Sequence, residues 1–118
     1  MSVQPATNVR YIDVDSLCDE AEQLGAAWAN AKAAYEALRQ TSKSVLAQAE
    51  KSYLAEGLTS SKAESMALAD DKYVEFIKSM VKAGHAADRA RVRYDIIQTR
   101  IELLRTNAST ERAAMSMR

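Results

Sequence analysis

One apolar repeat constrains this chain more than any other feature. Between residues 73 and 104, apolar side chains recur at alternating steps of three and four residues for more than four heptads. A 3.5-residue period is typical of the buried stripe of a coiled coil. The positions are Tyr73, Phe76, Met80, Ala83, Ala87, Ala90, Tyr94, Ile97, Ile101 and Leu104. This stripe, called the seam below, predicts a long helix that packs lengthwise against another helix.

A second seam precedes the first and supplies the partner helix. Its positions are Val14, Leu17, Ala21, Leu24, Trp28, Ala31, Tyr35, Leu38, Ser42, Val45 and Ala49, after which the pattern slips by one residue to Tyr53. Gly57 is suited to end this helix because glycine readily takes a positive φ. A short turn makes consecutive helices antiparallel neighbours. The predicted fold class is therefore all-α: a long antiparallel, coiled-coil-like helical hairpin with a short extra helix at the turn, packed into an oligomer.

The predicted boundaries make residues 1–118 a single domain. Residues 1–12 form a flexible, polar arm. Residues 106–118 form a tail, in which residues 111–117 either resume the helix or fray. The first helix covers residues 13–56 and begins at Asp13, a favourable N-cap. The second helix covers residues 61–105.

The start of the second helix and its possible break rest on a few polar residues. Ser61 followed by Glu64 is a capping-box pattern and predicts the restart of the helix. At Asp70-Asp71 two interpretations stay open: Asp70 caps a new helix, or one helix runs straight through. Adjacent aspartates are poor residues inside a helix, which favours a break.

The two seams also predict a register for the hairpin. Pairing Ala49 with the region of Met66 to Ala69 gives a register in which the numbers of facing residues sum to roughly 115–118. Trp28 then faces Ala87 and Ala90, and Tyr94 faces Ala21 and Leu24. Large side chains meet small ones, as a close-packed core requires.

The second helix carries another set of apolar residues that the seam does not include. This apolar row consists of Val74, Ile77, Val81, Val92, Ile96 and Leu103. At 100° per residue it lies about 120° or more from the middle of the seam. A helix that is apolar on two sides needs two neighbours. Either segment 61–69 folds over the row, or a second copy covers it as in a symmetric dimer.

Charge is divided unevenly along a chain whose formal net charge is zero. Residues 1–71 carry a net charge of −5, and residues 72–118 carry +5. Two helices of opposite charge that attract each other across the hairpin would explain this division. Alternatively, the second half meets an anionic partner.

The basic residues of the second helix predict a binding surface. Five of them fall within about 60° of one another on a helix, and two more follow towards the C-terminus. The predicted nucleic-acid-binding or partner-binding residues are Lys78, Lys82, Arg89, Arg93, Arg100, Arg105 and Arg112. A basic stripe can follow phosphates, but a solvated helix face would show the same pattern.

No residue pattern predicts catalysis, a metal or a cofactor. The chain has one histidine, His85, and one cysteine, Cys18. A zinc site needs three or four such ligands, and no Walker P-loop pattern is present. His85 is expected at the edge of the apolar row, and Cys18 is expected to be a small core or boundary residue. We therefore expect a protein that is not an enzyme.

The expected location is the cytoplasm. No stretch approaches ~18 consecutive apolar residues, which predicts no membrane span. The N-terminus lacks the apolar region of a signal peptide, and a single cysteine suits a reducing compartment.

The C-terminal half resembles a family. The segments that carry the resemblance are Leu68-Ala69-Asp70-Asp71-Lys72-Tyr73, Ala90-Arg91-Val92-Arg93-Tyr94 and the ending over residues 101–115. They resemble small helical proteins of tailed phages and prophages that are encoded near recombination and replication genes. The resemblance covers roughly residues 60–115. It implies a phage context and a link to DNA transactions, and it supplies no catalytic residues.

Three functions are compatible with these observations. The first is an oligomerising helical adaptor or scaffold, accessory to DNA recombination or replication, which binds itself as a homodimer or larger and also a phage or host protein. The second is sequence-independent binding of nucleic acid through the basic stripe. The third is inhibition of a host nuclease or defence protein.

Overall fold

The computed structural model describes residues 13–117. In this part of the chain the regular structure consists of three helices: α1 over Val14–Ala55, α2 over Ser60–Leu68 and α3 over Asp71–Ser116. The all-α helical hairpin with a short extra helix at its turn is confirmed. The predicted arm, residues 1–12, lies outside the described residues.

The first helix begins as predicted at Asp13. The Asp13 side chain accepts a hydrogen bond from the backbone N–H of Asp15 at 3.0 Å. Its carbonyl oxygen accepts the first helical bond, from the N–H of Leu17 at 3.1 Å. Asp13 is therefore an N-cap, and its charge is favourable at the positive end of the helix dipole.

Gly57 ends α1, also as predicted. Its φ is +92°, in the left-handed region that glycine enters without steric cost. The N–H of Leu58 donates to the carbonyl of Tyr53 at 3.4 Å, and the N–H of Gly57 donates to that of Leu54 at 3.0 Å. These two bonds form a Schellman motif, which satisfies carbonyl groups that the end of a helix leaves unpaired.

The predicted capping box at Ser61 is wrong. Thr59 is the N-cap of α2: its backbone is extended, and its hydroxyl accepts a hydrogen bond from the N–H of Lys62 at 3.4 Å. Ser61 already lies in the first turn of α2. The helix restarts earlier than predicted because Thr59, only two residues after Gly57, can already cap it.

Asp70 separates α2 from α3, which decides between the two interpretations of this segment in favour of a break. One Asp70 carboxylate oxygen accepts from the N–H of Lys72 at 2.9 Å and caps α3. The other accepts from the Tyr53 hydroxyl at 2.8 Å. One side chain thus both starts α3 and joins it to the last turns of α1.

The predicted helix end near Arg105 is also wrong, because α3 continues to Ser116. Threonine and serine weaken helices when their hydroxyls compete for backbone groups. Here the Thr110 hydroxyl donates to the carbonyl of Thr106 at 2.9 Å, and the Ser116 hydroxyl donates to that of Ala113 at 3.0 Å. These hydroxyls bond back along the helix and leave its own hydrogen bonds in place. The predicted tail is therefore helical up to Ser116.

The chain forms two compact units, Met1–Trp28 with Arg89–Arg118 and Ala29–Asp88, called the first and second units below. The core of the first unit consists of Leu17, Ala21, Ile97 and Ile101, with Leu24, Tyr94 and Leu104 packed against it. In the second unit α2 is packed through Ala63 and Ala67, which are 1% and 0% exposed. All the predicted seam positions are buried or half-buried except Val14.

Each unit contains a tyrosine ring that lies against a glycine of the other long helix. In the first unit, a Cβ atom placed on Gly25 would lie 3.0 Å from Cε1 of Tyr94. In the second unit, a Cβ atom on Gly84 would lie 3.1 Å from Cε1 of Tyr35. The residue numbers of both pairs add up to 119, so the actual register differs from the predicted one by about one residue.

Trp28 is less buried than the predicted register implies. It is half-buried, and its ring contacts that of Tyr94, with the centroids 5.6 Å apart and the planes inclined by 34°. The one-residue difference in register places Tyr94 over Gly25, from where its ring also reaches Trp28.

Candidate functional site

The apolar row is divided between covered and exposed positions. In the second unit, Val74 and Ile77 are half-buried, whereas Val81 is 51% exposed. In the first unit the row stays at the surface of the chain: Val92, Ile96 and Leu103 are 50%, 52% and 57% exposed.

Helix geometry explains why the row of the first unit is not buried in the hairpin. Ile96 is 52% exposed, whereas its neighbour Ile97 is 2% exposed. Successive residues of an α-helix are about 100° apart, so one partner helix cannot cover both. α1 covers the face with Ile97 and leaves the face with Ile96 uncovered.

All seven predicted basic residues are exposed. Two ion pairs occur between residues 13 and 117, Arg39 with Glu36 at 3.5 Å and Lys78 with Glu75 at 3.4 Å. Both join residues three apart on one helix. Over this part of the chain, the opposite charges of α1 and α3 therefore form no direct ion pairs across the hairpin.

An acidic stripe borders the apolar row of the first unit, on the side opposite Arg93 and Arg100. It was not predicted from the sequence. Asp88, Asp95 and Glu102 are exposed and recur at steps of seven residues on α3. Seven residues span nearly two helical turns, so the three carboxylates line up. The apolar row of the first unit thus lies between carboxylates on one side and the guanidinium groups of Arg93 and Arg100 on the other. The seven-residue spacing was the signal in the sequence that would have revealed it.

Among residues 13–117, His85 and Cys18 do not lie in a cluster of reactive side chains. His85 is exposed, and so is Cys18, contrary to its predicted place in the core or at its boundary. Cys18 lines a groove of about 410 Å³ in the first unit, together with Glu22 and Arg105. No group of three or more potential metal-ligating side chains occurs within the described residues.

Comparison with known proteins does not assign the chain to a family. No protein-family model, curated protein or solved structure gives a significant match. The resemblance to phage proteins therefore stays a prediction. Of the three helices between residues 13 and 117, none is long and apolar enough to cross a membrane.

Proposed function

We propose that this protein is a non-enzymatic helical adaptor that oligomerises through the apolar row of α3. The observation that carries the proposal is the exposure of Val92, Ile96 and Leu103, each at least half accessible on a regular helix. An exposed, mainly apolar helix face rimmed by charged residues is typical of a protein–protein interface.

The free energy gained by burying the apolar row indicates how strongly two copies can associate through it. Burying a Val, Ile or Leu side chain completely contributes about 1.5–3 kcal/mol. Covering the exposed half of three such side chains on each of two copies therefore contributes roughly 5–9 kcal/mol. Association itself costs on the order of 4–15 kcal/mol. The apolar row alone thus supports weak association, and a stable complex needs its charged borders as well.

The biological setting we propose follows from the resemblance of residues 60–115 to small phage proteins. The adaptor would act in the cytoplasm beside phage proteins of DNA recombination or replication. An exposed helix face with apolar and charged side chains suits this role, because it offers a surface for contact with another protein.

The oligomeric state of the full chain tests the proposal. Sedimentation equilibrium from micromolar to near-millimolar concentration should show a dimer or a larger assembly. Ile96→Asp should shift the chain to monomer without loss of helical signal in circular dichroism, because this position lies outside the core. Leu54→Asp is the matched control: Leu54 is similarly exposed, at 46%, but lies on α1. A chain that stays monomeric over the whole range, or equal effects of the two substitutions, would remove the proposal.

A second function, binding of nucleic acid, is favoured by one observation. Arg89, Arg93 and Arg100 are exposed, and none of them forms an ion pair with a described residue. Binding through them would be sequence-independent and would weaken steeply with salt, because phosphate contacts release counterions. A gel-shift series with duplex and single-stranded oligonucleotides from low to high salt tests this function. Arg89→Glu with Arg93→Glu should abolish a shift; absence of any shift at low salt would exclude the function.

A further inference from the structure

The charged borders of the apolar row indicate how a second copy is oriented. We propose that two copies of this chain pair along α3 in parallel and in register, so that each residue of the row meets its own counterpart. This inference rests on the proposed function, because it specifies the partner at the surface through which the protein oligomerises.

The row of the first unit has the spacing of a short coiled coil. Val92, Ile96, Thr99 and Leu103 follow one another at steps of four, three and four residues. In heptad terms, Ile96 and Leu103 occupy a positions, and Val92 and Thr99 occupy d positions. All four are exposed in the single chain, so this stripe is free to receive another helix.

Thr99 is the polar member of this stripe, and its hydroxyl does not oppose burial. It donates a hydrogen bond to the carbonyl of Asp95 at 2.9 Å within its own helix. A hydroxyl that has a partner already can be buried at much lower cost than one without. The stripe can therefore be covered over its whole length.

The charges beside the stripe distinguish a parallel pair from an antiparallel one. Asp88, Asp95 and Glu102 occupy g positions, and Arg93 and Arg100 occupy e positions. In a parallel pair a g residue meets the e residue that lies five positions later in the other helix. Asp95 would then meet Arg100 of the second copy.

An antiparallel pair would place like charges together. In that arrangement g residues meet g residues and e residues meet e residues, so carboxylates face carboxylates and arginines face arginines. Like-charged neighbours disfavour such a complex. The arginines and carboxylates named here form no ion pairs with other described residues of their own chain, so they are available to a second copy.

Cysteine cross-linking of the full-length chain tests the orientation. Val92→Cys and Leu103→Cys are made separately in a Cys18→Ser background and are oxidised under mild conditions. Each variant alone should form a disulfide-linked dimer, because in a parallel, in-register pair each position meets itself. Ala27→Cys, at an exposed position of α1, is the matched control and should not cross-link.

The outcomes separate this inference from the proposed function. If the Val92→Cys and Leu103→Cys variants cross-link only when they are mixed, the pair is antiparallel; the orientation is then wrong and the oligomer stands. A dimer that cross-links in neither way also overturns the orientation, because another surface must hold it. A chain that is monomeric at all concentrations removes both proposals.

A charge exchange provides an independent measurement. Arg100→Glu should weaken dimerisation by roughly tenfold, because it places carboxylates opposite each other at two symmetric sites. The double variant Asp95→Arg with Arg100→Glu should recover most of the lost affinity, because it restores opposite charges in the same arrangement. If the double variant is weaker than Arg100→Glu alone, these residues do not face each other and the parallel register is wrong.

Discussion

The contact between Gly25 and Tyr94 makes a quantitative prediction about the first unit. Replacing glycine by alanine inside an exposed helix stabilises it by about 1 kcal/mol. At Gly25, however, the new Cβ atom would lie 3.0 Å from Cε1 and 3.4 Å from Cδ1 of Tyr94, closer than the ~3.5–4.0 Å of ordinary carbon contacts. Movement of the Tyr94 ring away from the new Cβ atom is restricted, because the ring packs on Trp28 and its hydroxyl accepts a hydrogen bond from Gln98 at 2.9 Å.

Overpacking of this kind costs about 1–3 kcal/mol, which exceeds the gain in helix propensity. We therefore expect Gly25→Ala to destabilise the protein by about 1 kcal/mol. In a Tyr94→Ala background the ring is absent, and Gly25→Ala should stabilise by about 1 kcal/mol. The coupling energy between the two positions is then about 2 kcal/mol.

Urea unfolding of the four proteins of this cycle, followed by circular dichroism at one protein concentration, measures the coupling. A fixed concentration is necessary because association adds to apparent stability. Ala27→Gly, at an exposed position nearby on α1, calibrates the helix propensity and should cost about 1 kcal/mol. A stabilising Gly25→Ala in the presence of Tyr94, with a coupling energy near zero, would refute the close approach of the two helices at this point.

Three further predictions concern other contacts. Trp28→Ala should lower the free energy of unfolding by roughly 2 kcal/mol, because Trp28 is only half-buried against Tyr94. Truncation of a fully buried tryptophan costs more, ~3–5 kcal/mol. An effect below about 0.5 kcal/mol, as at ordinary surface sites, would contradict this packing. The hydrogen bond from the Tyr53 hydroxyl is the main cause that lowers the pKa of the Asp70 carboxyl. The stabilising contribution of the ionised carboxylate is therefore present above about pH 4 and is lost as the pH falls through the lowered pKa. Tyr53→Phe should therefore lower the urea midpoint at neutral pH and much less at pH values where the carboxyl is protonated; an equal effect at both would show that the charge does not contribute. Gly57→Ala should cost about 1–2 kcal/mol, because alanine is strained at the positive φ of this residue; an unchanged urea midpoint would show that the turn adopts another conformation.

The parts of the fold that a single residue type determines were predictable from the sequence. Gly57 was expected to end α1 because few other residues take a positive φ, and the seams fixed two antiparallel helices. The choice between Thr59 and Ser61 as N-cap was not predictable, because both hydroxyls can cap a helix. The conformation of the chain after Gly57 places Thr59, and not Ser61, at the N-cap position. The exact register was also not predictable, because Gly25 lies beside the seam and only the packed structure shows that it receives Tyr94.

The candidate surface was partly predictable for a related reason. The apolar row and the basic residues stand out as residues that the seam does not use. The acidic border is less evident, because Asp95 and Glu102 are single carboxylates seven residues apart in a half of the chain that is mostly basic. Their meaning depends on which face of α3 stays uncovered once α1 is in place, and only the packed hairpin shows that face.

The composition of the two faces of α3 supports an interface on the uncovered one. Towards α1, small residues such as Gly84 and Ala87 leave room for the side chains of the partner helix. On the uncovered face stand Val92, Ile96 and Thr99, which are β-branched and form helices less readily than alanine, by about 0.5 kcal/mol each. In a single hairpin these residues would weaken the helix without the compensation of full burial. A second helix over this face reduces the conflict, because it buries these side chains, and the β-branched Ile96 at an a position suits a parallel two-stranded pair. The local preference and the packing of the chain then agree, as they generally do in natural proteins.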